Sequence, residues 1–237
     1  MSLSPDDLHR LRQRHRGYRI TLLVQAAMVL LMPLAQRLPG LLSLLICGLA
    51  VVLLVFTSRF SAGRRTRSLI FGLGAVAIAM EIFWQATLVL APSLGRWLTF
   101  PHVLIWLLFL FTAVVRKVLN LTREPIVTTA VVLGAASGYL TLGVAGGILL
   151  TALWVLDPSS FNAALLPAVP PGHAPVLAVA PALMVSSFGL LTTVGSGLLS
   201  PASLNGQVAA TSLAITGQLY VAILIGLILG RAQRRRA

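Results

Sequence analysis

The run Thr192-Thr193-Val194-Gly195-Ser196-Gly197 is the part of this chain best suited to chemistry. Its residue types fit the binding of a dehydrated monovalent cation. Such an ion needs several oxygens at close range to replace its water shell, and rings of backbone carbonyls supply them without fixed charge. To aim successive carbonyls one way, the backbone must alternate between left- and right-handed conformations. Gly195 and Gly197 reach the left-handed region at little steric cost. The Thr193 hydroxyl adds an innermost oxygen. Nucleophilic chemistry at Ser196 would need a base close to its hydroxyl. The four histidines are His9, His15, His102 and His173, and none follows Ser196. No enzyme activity is expected.

The elements that position these residues are read from hydropathy. The 237-residue chain is 57% hydrophobic and 10% charged, where a soluble domain carries about 25% charged residues. Several stretches exceed the roughly 18 apolar residues that cross a bilayer core. The reading is an all-α membrane protein with six transmembrane helices: about 20–36, 40–57, 69–91, 97–115, 125–156 and 202–229. A Pro-rich segment, Asp157 to Pro181, follows the fifth. A further apolar piece, Ala182 to Leu191, is too short to cross and reads as a re-entrant half-helix. Non-helical backbone at membrane depth is tolerated only where it is buried in protein or lines a water-filled cavity, which makes 192–197 the pathway candidate. The half-helix ends toward that cavity, so its negative dipole end favours a cation.

Charge sets the expected orientation. Sixteen of the 18 basic residues lie before the first span, in the second and fourth connections, and after the last span. Only Arg37 and Arg96 fall on the other side. The positive-inside rule then places both termini in the cytoplasm of a cell (inner) membrane. The same distribution, at span edges rather than in a patch, argues against nucleic acid as a partner. Residues 1–19 form a basic N-terminal helix that suits anionic headgroups of the bilayer, and the N-terminus lacks the cleavage site of a signal peptide. Residues 20–124 form a charge-poor four-helix peripheral domain, 125–230 a pore domain, and 231–237 a basic tail. One chain supplies one strand of a carbonyl ring, and four strands surround an ion, so a homotetramer with cyclic symmetry is expected.

From Leu191 onward the chain resembles the pore region of tetrameric potassium channels, and it is similar to small bacterial six-span members with one pore loop. Leu-Thr-Thr-Val-Gly-Ser-Gly-Leu-Leu-Ser-Pro, residues 191–201, stands against the family pattern Leu-Thr-Thr-Val-Gly-Tyr-Gly-Asp-Ile-Thr-Pro. The match continues ungapped to Gly217, which coincides with the family's inner-helix glycine hinge. Leu156 to Phe161 resembles the outer-helix exit. The resemblance covers roughly the last 110 residues. It implies Thr193, Val194, Gly195, Ser196 and Gly197 as the ion-binding filter, with potassium ions there and no other cofactor. It also implies Gly217 as hinge, and Gln218, Val221 and Ile225 as cavity or gate positions.

Two of the departures from the pattern change its chemistry. Ser196 replaces the tyrosine that normally braces the filter, and Leu198 replaces an aspartate. Thr192, Ser186 and Ser187 are the expected support, with Ser196 bonded to one of the two serines. Two permeation outcomes stay open. One is potassium selectivity, because Thr193-Val194-Gly195 is intact. The other is non-selective passage of potassium and sodium, because the brace is missing. A secondary transporter is a distant alternative, disfavoured because only the C-terminal half contains a discontinuous segment. Residues 97–115 carry no arginine or lysine, so strong voltage gating is not expected. Glu81, mid-span, is expected to pair with Gln85 or a neighbouring helix. His102 is expected at the interface, and His173 in the outer loop. Lys117 is read as a cytoplasmic orientation charge.

Overall fold

The computed structural model describes residues 5–38, 40–59, 64–122, 128–162, 166, 175–195 and 200–233. Eight α-helices lie among them: α1 (Pro5–Leu30), α2 (Met32–Arg37), α3 (Leu41–Arg59), α4 (Arg64–Leu90), α5 (Pro92–Thr122), α6 (Thr129–Leu156), α7 (Pro175–Leu191) and α8 (Leu204–Gln233). A 3-10 turn at Pro158–Ser160 follows α6. Within the described residues β-pairing amounts to a single bridge between Phe161 and Pro201. Four stretches there are long and apolar enough to cross a membrane: Arg67–Leu90, Pro92–Thr122, Thr129–Leu156 and Leu204–Gly226. The chain is all-α and compatible with a multi-pass membrane protein.

Three features differ from the sequence reading. The basic N-terminal helix does not stop at residue 19, because α1 runs on to Leu30. The expected first span is instead broken at Leu31, where α2 starts with Pro33 in its first turn. A proline has no amide hydrogen to continue the ladder, and its ring crowds the preceding turn. The third difference is α7, which begins at Pro175, seven residues before the expected start. Pro175 occupies a first-turn position that proline favours. Pro181 lies inside the helix and forfeits one hydrogen bond. Burial of residues 176 and 178–184 carries the helix across that gap.

Helix α6 is the hub, packing against α1, α5, α7 and α8. Its glycines explain how. A Cβ at Gly147 would lie 2.9 Å from the Met184 Cα, and one at Gly146 would lie 2.7 Å from a Leu213 methyl. A Cβ at Gly143 would enter the Phe188 ring. Helix α7 therefore runs antiparallel along half of α6, from Val176 beside Val155 to Leu191 beside Tyr139. Helix α8 also runs antiparallel to α6. Gly206 meets the Ser160 carbonyl, Leu213 meets Gly146, and Tyr220 donates to the Ala135 carbonyl at 2.9 Å.

The largest core cluster joins α1 to α6 around Trp106, Phe109, Met28, Leu49 and Leu53, and reaches Met184 of α7. A second cluster, Leu150, Phe161, Val179, Leu183 and Leu213, ties α6, α7 and α8 together.

Lys117 is not a loop charge but is buried between helices. Its Nζ donates to Ser137 Oγ at 2.7 Å, Ser137 donates to Gln25 Oε1 at 2.8 Å, and Gln25 Nε2 donates to Thr141 Oγ1 at 2.7 Å. This chain of bonds joins α5, α6 and α1 inside an apolar bundle, where each bond is stronger than in water. Adjacency to Arg116 gave no sign of it, because the partners lie on other helices.

Replacing Gly147 with alanine is expected to lower stability by about 1–3 kcal/mol, because backbone must shift to admit the methyl. Gly72→Ala, where a Cβ meets nothing within 4 Å, is expected to be neutral or stabilising through helix propensity. Thermal unfolding of the two variants in detergent measures the difference.

Candidate functional site

The site begins where α7 ends. Ser187 seats the helix, its hydroxyl lying 2.6 Å from the Gly143 carbonyl and 2.7 Å from that of Met184. The Ser187 hydroxyl thus faces α6 and its own helix. Ser186 is also buried. Ser196 and Gly197 lie outside the described residues, so the expected Ser196 bond to either serine lies there too. Phe188, the one aromatic residue of α7, packs on Gly143 of α6.

The last turn is closed tightly. The Thr192 amide donates to Phe188 O at 3.0 Å, the Thr193 amide to Leu190 O at 3.1 Å, and the Gly195 amide to Gly189 O at 3.1 Å. The Thr192 hydroxyl lies 2.9 Å from Phe188 O and 3.1 Å from Gly189 O. Leu191 O accepts the Tyr139 hydroxyl at 2.7 Å. Gly217 of α8 lies against the same oxygen, where a Cβ would collide with it. Gly217 is therefore a close-packing position, whatever it does as a hinge.

Backbone conformation alternates beyond that point. Thr193 has φ +58° and Gly195 has φ +82°, and Val194 between them is not left-handed. Threonine is β-branched and rarely adopts positive φ, so Thr193 is a local strain of order 1–3 kcal/mol that its surroundings must hold. Its hydroxyl donates to Thr192 O at 2.7 Å, which engages one lone pair of that carbonyl and leaves those of the hydroxyl oxygen directed elsewhere. Within one chain Thr192, Thr193, Val194 and Gly195 are all exposed, Val194 by 85%.

The chain is pinned again at Ser200. Asn162 N donates to Ser200 O at 3.0 Å, and Ala202 N to Ser160 O at 2.9 Å. Asp157 organises the receiving turn, accepting from the Ser159 hydroxyl at 2.5 Å, the Ser160 hydroxyl at 3.0 Å and the Ser159 amide at 3.1 Å. These bonds, the Ser159 hydroxyl first, hold the Asp157 carboxyl below the usual carboxylate range. Residues 192–195 are thus fixed at mid-length of α6, and residue 200 at its end.

On α8 the buried face is Gly206, Ala210, Leu213, Gly217 and Tyr220. Gln218 and Ile225 are exposed and Val221 is half-buried, so these three sit off the packed face.

One polar cluster was only half legible. Glu81 Oε2 lies 2.7 Å from His102 Nε2, and both residues are 3% exposed. Glu81 Oε1 accepts from Ser43 Oγ at 2.6 Å and lies 3.4 Å from Gln85 Nε2. His102 is therefore inside the bundle, not at an interface. Hydropathy singles out Glu81, but nothing links it to a histidine 21 residues away on the next helix.

No family model, curated protein or solved structure matches the chain. The functional reading therefore rests on the residues themselves.

The Leu191 carbonyl makes a double test. Tyr139→Phe removes one hydrogen bond and is expected to cost about 1 kcal/mol. Gly217→Ala pushes on the same oxygen and is expected to cost about 1–3 kcal/mol. Because both act at one atom, thermal unfolding of the double variant is expected to depart from the sum by about 0.5 kcal/mol or more.

Proposed function

We propose that this chain is one subunit of a homotetrameric channel that conducts monovalent cations, potassium first, passively across a cell membrane with both termini cytoplasmic. In this reading the spans number six, α7 is a re-entrant pore helix, and residues 192–197 line the axis. The observation that carries it is the alternation at Thr193 and Gly195 in a stretch that is exposed within one chain yet set at mid-length of apolar helices. Exposed, irregular backbone has no stable place in lipid. It needs copies of itself and a hydrated path. Alternating φ is the conformation that aims successive carbonyls to one side, and four such strands complete the ligand set.

The flanking contacts support the same reading. Leu191 is held by Tyr139 and Gly217, and Ser200 by Asn162. A filter must keep its width while ions pass, so both ends of the strand need fixed partners. Gln218 and Ile225, exposed on α8, are then available to the cavity and to a dewetting constriction. The absence of charge from 97 to 115, with Lys117 tied into a buried network, leaves little to move in a voltage.

A second reading is non-selective passage of potassium and sodium. One observation favours it: Phe188 packs on α6, so α7 offers no aromatic side chain to brace the strand at Ser196. Reversal potential of the purified protein in planar bilayers separates the two. Under a potassium/sodium gradient a selective pore gives a value near the potassium equilibrium potential. A value near zero supports the second reading, and absence of any cation current contradicts both. Gly195→Ala, which puts a Cβ on a left-handed residue, is expected to abolish the current while leaving the assembled protein intact.

A further inference from the structure

The Glu81–His102 pair lines a cavity of about 40 Å³, room for about one water molecule. Its walls come from both halves of the chain. Ser43, Glu81, Gln85 and His102 face it from α3, α4 and α5, and Ala180 and Met184 face it from α7. Glu81 is satisfied on both oxygens. His102 is not, because its buried Nδ1 has no hydrogen-bond partner. The imidazole is stacked flat on Trp84, with centroids 4.2 Å apart and planes 8° apart, and Trp84 is fixed by donating to Thr99 at 2.9 Å. An indole face attracts a cation.

The pair has three protonation states. With one shared proton it is neutral overall. With none it leaves a carboxylate without a counter-charge, and with two it leaves an imidazolium without one. Uncompensated charge in an apolar interior is costly, so either change alters the packing around the cavity. Other titratable groups contribute little there. Cys47 on α3 lies in the field of Glu81. Arg37 of α2 and Arg96 of α5 are exposed. Helix α7 has no titratable residue, and the one in α6, Tyr139, is bonded to Leu191.

We propose that this cavity is a proton-binding site: water enters at His102 Nδ1, delivers a second proton to the Glu81–His102 pair, and α7 responds. The response has a direction. The cavity abuts Val176 and Ala180, in the first half of α7, where the helix dipole is positive. A gained positive charge there opposes the seat of α7 on the peripheral helices. Since α7 carries residues 192–195, acid is expected to reduce conduction. This last step rests on the channel reading, whereas proton binding does not.

Two readouts separate the parts. Tryptophan fluorescence of the full-length protein in detergent, followed from pH 8 to pH 4.5, reports the Trp84–His102 stack. The expected result is a quenching transition that is lost in both Trp84→Phe and His102→Gln, and that moves to lower pH in Glu81→Gln, where the counter-charge is gone. A transition that survives unchanged in His102→Gln and Glu81→Gln overturns the site. Potassium flux into liposomes at symmetric pH is expected to fall about fivefold or more from pH 8 to pH 5, and to lose that dependence in His102→Gln. Flux that is flat with pH in the wild type overturns the coupling. Absence of flux at every pH sinks the channel reading and leaves fluorescence to decide the proton site.

Discussion

The close approach of α7 to α6 is the constraint on which the rest depends. Gly143, Gly146 and Gly147 leave a shallow face along α6. Met184, Ser187 and Phe188 settle into it, and the Ser187 hydroxyl reaches the Gly143 carbonyl. That seat sets how far down α6 the helix ends, and so where Leu191 meets Tyr139 and Gly217. Residues 192–195 inherit their position from this contact. Packing of small residues is an effective way to hold helices in an apolar medium, where burial alone gives little drive between them.

Polar side chains in the bundle follow one logic. Ser187, Thr141 and Thr151 return their hydroxyls to backbone carbonyls of the helices. Lys117, Ser137 and Gln25 form a chain of bonds across three helices. Glu81 gathers Ser43, Gln85 and His102. Each network joins elements far apart in sequence, which fixes helix register where apolar contacts alone permit sliding. The segment 192–195 stands apart from this pattern. Its backbone is exposed within one chain, and it carries strain at Thr193. A strained segment, exposed within one chain, is where function is best sought.

Much of this was legible in the sequence. Long apolar runs gave α4, α5, α6 and α8 to within a few residues of their ends, except where basic or polar residues extend a helix beyond its apolar part, as at Thr122. The end of α7 at Leu191 was legible because Thr-Thr-Val-Gly cannot continue it. Its start was not, since Pro181 reads as a breaker and only tertiary packing overrides that. Gly195 announced its left-handed backbone, whereas Thr193 did not, because a β-branched residue argues against it. Glu81 was visible as an intramembrane acid, and its partner His102 was not. Pairing across helices depends on helix rotation and height, which hydropathy does not encode. Lys117 misled for the same reason.

The central claim is that one chain contributes one strand of a fourfold carbonyl ring. Native mass spectrometry of the protein released from membrane into mild detergent tests it most directly. The account predicts a complex four times the 25.1 kDa subunit, with cysteine introduced at Val194 cross-linking only between subunits. A monomer or dimer that retains cation flux would contradict it.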